Sequence, residues 1–179
     1  PAAGEIKRAL GDWYYSTKEN ETLEEAVVRL LMKYDLTVST AESCTGGMIA
    51  ARLVNVAGVS EVFREGYVTY SNKAKRKLLK VGKNTLKEFG AVSKQTAEEM
   101  ARGGMEFSDS DVCIAVTGIA GPDGGTKEKP VGLVFGGCCV RGETEVEKWN
   151  FRGSRQEIRE QSAMAALDLL RRMILKNFR

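Results

Sequence analysis

The sequence predicts an α/β fold, a three-layer α/β/α sandwich around a mixed central sheet. Three observations predict it. The run "DVCIAVTG" (residues 111–118) is continuously apolar, as expected of a strand buried on both faces. Helical spacing recurs on either side of it, most clearly in "ETLEEAVVRLLMKYD". Late in the chain, "PVGLVFGGCCVR" and "TEVEKWNFRG" form a plausible hairpin turning at Arg141 to Glu143, so helices interleave with buried strands of both kinds.

The elements follow in order. Residues 1–20 are polar and aromatic without clear periodicity and read as a linker or a short docked strand. A helix then places Leu23, Ala26, Val27, Leu30, Leu31 and Tyr34 on one stripe, with Thr22 as N-cap and Glu25 three residues on. A strand runs from about Leu36 to Ala41 and a helix from about Thr45 to Val56, followed by the strand "EGYVTY" and a helix beginning near Ser71. Further helices span Lys83 to Phe89 and Lys94 to Phe107, the latter capped by Ser93. After the buried strand and the hairpin, a long helix runs from Arg155 to about Lys176, with Ser154 as its N-cap.

Composition narrows the function. At 179 residues the chain fits one domain able to bury a core without disulfides or metal. A net charge of +3 with both signs interspersed gives no nucleic-acid surface and predicts a small-molecule or protein partner. The four cysteines show no CxxC spacing, and three sit in apolar runs, which predicts reduced, buried thiols and a cytoplasmic protein. No stretch is apolar enough to span a membrane, and the N-terminus has neither a signal-peptide pattern nor an initiator Met, so the chain reads as a piece of something longer. The sequence contains no histidine, which removes Ser-His-Asp and Cys-His catalysis and the common imidazole zinc sites. A hydrolytic nucleophile here must be served by a lysine, a carboxylate, a tyrosine or an N-terminal amine.

Four segments carry candidate chemistry. In "AESCTGG" a strand turns into a helix at the carboxyl edge of the sheet, where Ser43 is placed to attack a carbonyl while Thr45, Gly46 and Gly47 offer backbone donors to the oxyanion. The alternative is that Ser43 or Thr45 only caps the helix. In "SNKAKRKLLK" the residues Ser71, Ala74, Lys75, Leu78 and Leu79 share a stripe, so Lys75 faces inward and gains a lowered pKa suited to a general base, unless it extends over apolar surface to keep its charge in water. In "TGIAGPDGGTKEKPVG" the glycines, Gly118 among them, permit close backbone approach to a ligand, with Thr117 at the strand's carboxyl end; a mobile surface turn is the alternative. In "FRGSRQEIRE" Arg152 and Arg155 stand near a helix N-terminus, which suits a bound phosphate better than it suits the helix, though exposed arginines of no consequence fit equally.

These same segments, "STAESCTGG", "GYVTYSNKAK", "GAVS", "TGIAGPDGGTKEKPVG" and "FRGSR", occur in the order and spacing of the CinA C-terminal domain family, which the chain resembles over roughly residues 22–178. That family includes the bacterial nicotinamide mononucleotide deamidases, and two-domain competence/damage-inducible proteins in which a molybdopterin-binding-like domain precedes this one. The resemblance implies that residues 1–21 are an interdomain connector and 22–179 the domain itself. It implies hydrolysis of nicotinamide mononucleotide to nicotinate mononucleotide and ammonia, without metal or cofactor. It assigns Ser43 as nucleophile, Lys75 as its base, Tyr70 as an orienting or proton-relaying group, Thr117 near the reacting groups and Arg155 at the substrate phosphate. Cys44 adjoins Ser43, but neighbouring side chains at such a corner point in different directions, and Ser43 is the expected nucleophile. The competing class is a non-catalytic nucleotide-binding or oligomerisation module, and a weaker third is a regulatory partner of recombination proteins. Apolar helix faces predict a homo-oligomer.

Overall fold

The structure, a computed structural model, describes residues 2–11, 14–16 and 18–178. The elements run α1 (Ala2–Leu10), α2 (Leu23–Lys33), β1 (Val38–Glu42), α3 (Met48–Val54), a 3-10 turn (Val59–Glu61), β2 (Phe63–Val68), α4 (Asn72–Leu79), α5 (Lys83–Glu88), α6 (Lys94–Ser108), β3 (Val112–Gly118), β4 (Leu133–Val140), β5 (Glu143–Asn150) and α7 (Arg155–Phe178). The helix at Ala2–Leu10 corrects the expectation of a short docked strand. Its residues are mostly good helix formers, but nine of them are too few for a stripe to show in the sequence.

The five strands lie in the order β2-β1-β3-β4-β5. β1 pairs in parallel with β2 and β3, and β3, β4 and β5 are antiparallel, so the sheet is mixed as expected. The β4–β5 hairpin turns on Arg141 and Gly142, both with positive φ (47° and 91°), the geometry whose twist matches the flanking strands.

Alternation along β3 builds the two outer layers. Val112, Ile114 and Val116 enter a core with Val27 and Leu31 of α2, Ile49 and Leu53 of α3, and Leu167 and Leu170 of α7. Cys113 and Ala115 face the other way and meet Leu79 of α4 and Met100 and Ala101 of α6. On this second side α4 and α6 touch at Gly103, where a Cβ would stand 1.9 Å from the Leu79 carbonyl oxygen. Only the missing side chain lets α4 lie so close, and that contact places the helix carrying Lys75.

Several boundaries move for local reasons. β2 ends at Val68, opposite Glu42, the last residue of β1, and the Thr69 N–H still donates to the Glu42 carbonyl at 2.8 Å. α3 begins at Met48 rather than near Thr45, since residues 43–47 form a turn that Gly47 closes with φ of 94°. Leu78, expected on the inward stripe of α4, is 37% exposed, whereas Lys75 and Leu79 are buried. The capping predictions at Thr22 and Ser93 stand: Thr22 and Glu25 form a reciprocal capping box and Ser93 accepts from Thr96. Ser71, expected on the inward stripe, is instead the exposed N-cap of α4 and accepts from Ala74. Ser154 and Glu157 make the same reciprocal pair at the start of α7.

Candidate active site

The carboxyl ends of the parallel strands β1 and β3 meet the N-terminus of α7 around a cavity of about 260 Å³. Ser43, Lys75, Tyr70, Thr117, Gly118 and Arg155 all line it. Hollows of about 280 and 420 Å³ lie along the N-terminal segment, where the Ser16 hydroxyl is bonded to the Glu21 carboxylate rather than to a base.

Ser43 leaves β1 through a last ladder bond from its N–H to the Val116 carbonyl, at 2.9 Å. It does not cap α3. The helix N-cap is Gly47, which has no side chain to offer, and the carboxylate of Glu42 takes the capping role. That fully buried group accepts from the amides of Gly47, Ile49 and Ala50 at 3.0, 3.1 and 2.9 Å. The Ser43 hydroxyl is thereby left for Lys75, whose Nζ lies 2.9 Å from Ser43 Oγ and 2.7 Å from the Thr69 carbonyl. Lys75 is 1% exposed, and burial pulls its pKa down to about 8, within reach of the neutral form that accepts a proton. The solvent-seeking alternative for Lys75 is excluded by that burial.

Cys44 adjoins Ser43 and is poorly suited to act as a nucleophile itself. Burial pushes its thiol up to about 11, so it stays protonated at neutral pH. The three remaining thiols, Cys113, Cys138 and Cys139, are free and buried in the core, as expected.

Two of the amides expected at the oxyanion are already engaged. Gly46 N–H donates to the Ser43 carbonyl at 3.1 Å, and Gly47 N–H goes to Glu42. Thr45, Gly46 and Gly47 all lie outside the cavity lining, and the Thr45 hydroxyl is buried without a hydrogen-bond partner among the described residues. The turn's amides with no carbonyl or carboxylate acceptor among the described residues are those of Cys44 and Thr45.

Tyr70 is 63% exposed at the cavity mouth, and its hydroxyl accepts from Arg155 Nη2 at 3.0 Å. Arg155 Nη1 also donates to the Gly121 carbonyl at 2.7 Å, tying the mouth to the glycine-rich loop. Arg152 is exposed and outside the lining. Thr117 Oγ1 donates to the Ala91 carbonyl at 2.7 Å and so braces the wall formed by Ala91 and Val92.

Three residues at this site were not singled out by the sequence reading. Glu42 shows a signal only in retrospect, as a carboxylate inside an otherwise uncharged buried strand. Lys129 donates to the carbonyls of Phe89 and Val92 at 2.6 and 2.8 Å, strapping the end of the glycine-rich loop to the cavity wall, while residues 122–128 stay exposed. Arg159, four residues after Arg155 on α7, donates to the carbonyls of Cys44 and Thr45. Among the described residues no group of three or more cysteines or carboxylates is placed to hold a metal ion, and no helix is long and apolar enough to cross a membrane.

The model of the family described as CinA C-terminal domain matches residues 20–174. The chain belongs to the CinA C-terminal domain family. Among its relatives, a putative competence-damage inducible protein of Clostridium perfringens is 54% identical over 176 residues, covering 98% of this chain and 42% of the relative. A CinA-like protein of Kosmotoga olearia is 54% identical over 175 residues with the same coverage. The chain thus spans less than half the length of these CinA relatives. Of solved CinA-type structures, the competence/damage inducible protein CihA of Agrobacterium tumefaciens superposes with a TM-score of 0.79 at 44% identity, covering 86% of this chain and 97% of that one. The competence damage-inducible protein A of Klebsiella pneumoniae gives 0.84 at 36% identity, covering 88% and 97%.

Proposed function

We propose that this CinA C-terminal domain hydrolyses the carboxamide of nicotinamide mononucleotide to nicotinate mononucleotide and ammonia. The observation that carries the reading is the 2.9 Å contact between Lys75 Nζ and Ser43 Oγ inside a cavity at the sheet's carboxyl edge. With Lys75 neutral the Ser43 hydroxyl donates along that contact to the amine lone pair. Ser43 Oγ then attacks the amide carbon while its proton passes to Lys75, and the amides of Cys44 and Thr45 receive the oxyanion. Lys75 returns the proton to the departing nitrogen, so ammonia leaves and an acyl-serine remains. Water, deprotonated by Lys75, cleaves that ester and releases the acid. Arg155 takes the substrate phosphate, with Tyr70 holding the guanidinium at the mouth and Thr117 and Gly118 shaping the floor. No cofactor has a part in these steps.

Ammonia release from nicotinamide mononucleotide, with folded Ser43→Ala and Lys75→Ala alongside, tests this. Turnover by the parent and by neither variant supports the Ser/Lys amidase. A folded parent that binds the nucleotide and releases no ammonia supports instead the non-catalytic nucleotide-binding module. Fusion to a molybdopterin-binding-like domain belongs to the same proposal and is supported by the relatives' greater length. So does homo-oligomerisation, supported by the exposed apolar side chains of Val54, Val68 and Phe107.

A further inference from the structure

Two arginines one turn apart on α7 serve different walls of the site. Arg155 holds the mouth, as described, while Arg159 reaches the turn that follows the nucleophile. Its Nε donates to the Cys44 carbonyl at 3.0 Å and its Nη2 to the Thr45 carbonyl at 2.9 Å. A trans peptide is planar, with C=O and N–H antiparallel. Holding both carbonyls on one guanidinium therefore also fixes the N–H directions of Thr45 and Gly46, away from α7. The Gly46 N–H closes the turn on the Ser43 carbonyl, which makes Cys44 and Thr45 its two central residues. A lysine cannot reproduce this arrangement, because only the rigid fork of a guanidinium spans two acceptors with fixed angles.

We infer that Arg159 is a positioning residue for the reaction at Ser43. It locks the Cys44–Thr45 and Thr45–Gly46 peptide planes, which aims the Thr45 amide and holds the Gly46 N–H on the Ser43 carbonyl, so that the closed turn presents the Cys44 and Thr45 amides to the oxyanion, and it sets a permanent positive charge behind the turn where negative charge develops. Arg159 lies outside the cavity lining and acts through the backbone. The inference rests on the Ser/Lys hydrolase reading of the same site.

The test is the rate at which an alkyl fluorophosphonate labels Ser43, followed by mass spectrometry across pH. In that step a bond forms between Ser43 Oγ and phosphorus, the P–F bond breaks, fluoride leaves, and the hydroxyl proton passes to Lys75. Arg159→Ala is expected to label about tenfold to a hundredfold more slowly than the parent, the scale of a misplaced oxyanion donor. Arg159→Lys, which keeps the charge without the fork, falls between the two and decides the matter where the alanine variant does not fold. The pH midpoint of labelling stays where the parent has it. Nucleotide affinity, measured in the Ser43→Ala background with and without the Arg159 change, also stays constant. Labelling within about twofold of the parent in a folded variant overturns the inference. So does a loss explained by a shifted midpoint or weakened nucleotide binding. If Ser43 of the parent is labelled at no pH, the Ser/Lys reading itself fails and the inference falls with it.

Discussion

Lys75 Nζ lies 2.9 Å from Ser43 Oγ, joining two buried side chains 32 residues apart in sequence. Burial draws the lysine pKa down to about 8, and the base must be neutral to act. Ammonia release is therefore expected to rise with pH and level off above a midpoint near 8. A profile flat from pH 6 to 10, measured at saturating substrate, removes Lys75 from the role of base.

The same shift has a signed consequence for stability. The folded pKa is depressed from 10.5 to about 8, so between those values the unfolded chain binds more protons at this site than the native one. Stability contributed by this site then rises with pH across that window, by up to about 3 kcal/mol, and below pH 8 the full cost of burying the ammonium is present. Urea unfolding of the parent and Lys75→Met at pH 7.5 and 10 is expected to show the parent gaining on the variant at the higher pH.

Glu42 caps α3 with three accepted amide bonds, a role the Gly47 N-cap cannot fill. Glu42→Ala leaves those donors buried, and a loss of about 2–4 kcal/mol in denaturant unfolding is expected. Loss under about 0.5 kcal/mol means that water or a shifted turn replaces the carboxylate.

Gly103→Ala puts a Cβ 1.9 Å from the Leu79 carbonyl, where backbone rather than a flexible side chain must give way. Overpacking of this kind costs about 1–3 kcal/mol. Because the displaced helix carries Lys75, kcat is expected to fall by about tenfold or more while KM changes little, by the sensitivity of such pairs to small displacements. A raised KM with kcat unchanged assigns the glycine to substrate binding instead.

Lys129 ties the glycine-rich loop to the carbonyls of Phe89 and Val92. Lys129→Ala is expected to speed amide hydrogen exchange over residues 119–130 and 89–92 and to raise KM by about tenfold, with kcat less affected. Unchanged exchange in both segments shows the strap to be dispensable.

Much of this was legible in the residues because it is local. Capping at Thr22, Ser93 and Ser154, the buried run of β3, the hairpin at Arg141 and the absence of histidine all depend on near neighbours or on composition, and the motif order pointed to the family. The short helix at Ala2–Leu10 was missed for want of length. What only the tertiary structure decided is how distant groups meet. The sequence brought Ser43 and Lys75 into question separately, and the contact of α4 with α6 at Gly103 set the distance between them. That Ser43 does not cap α3 turned on Glu42 taking the helix amides, and which amides of the turn stay free turned on Glu42 and the Ser43 carbonyl engaging those of Gly47 and Gly46. Hydrogen bonds are short-ranged and directional, so their partners are chosen by packing in space, and spacing along the chain carries no record of that choice.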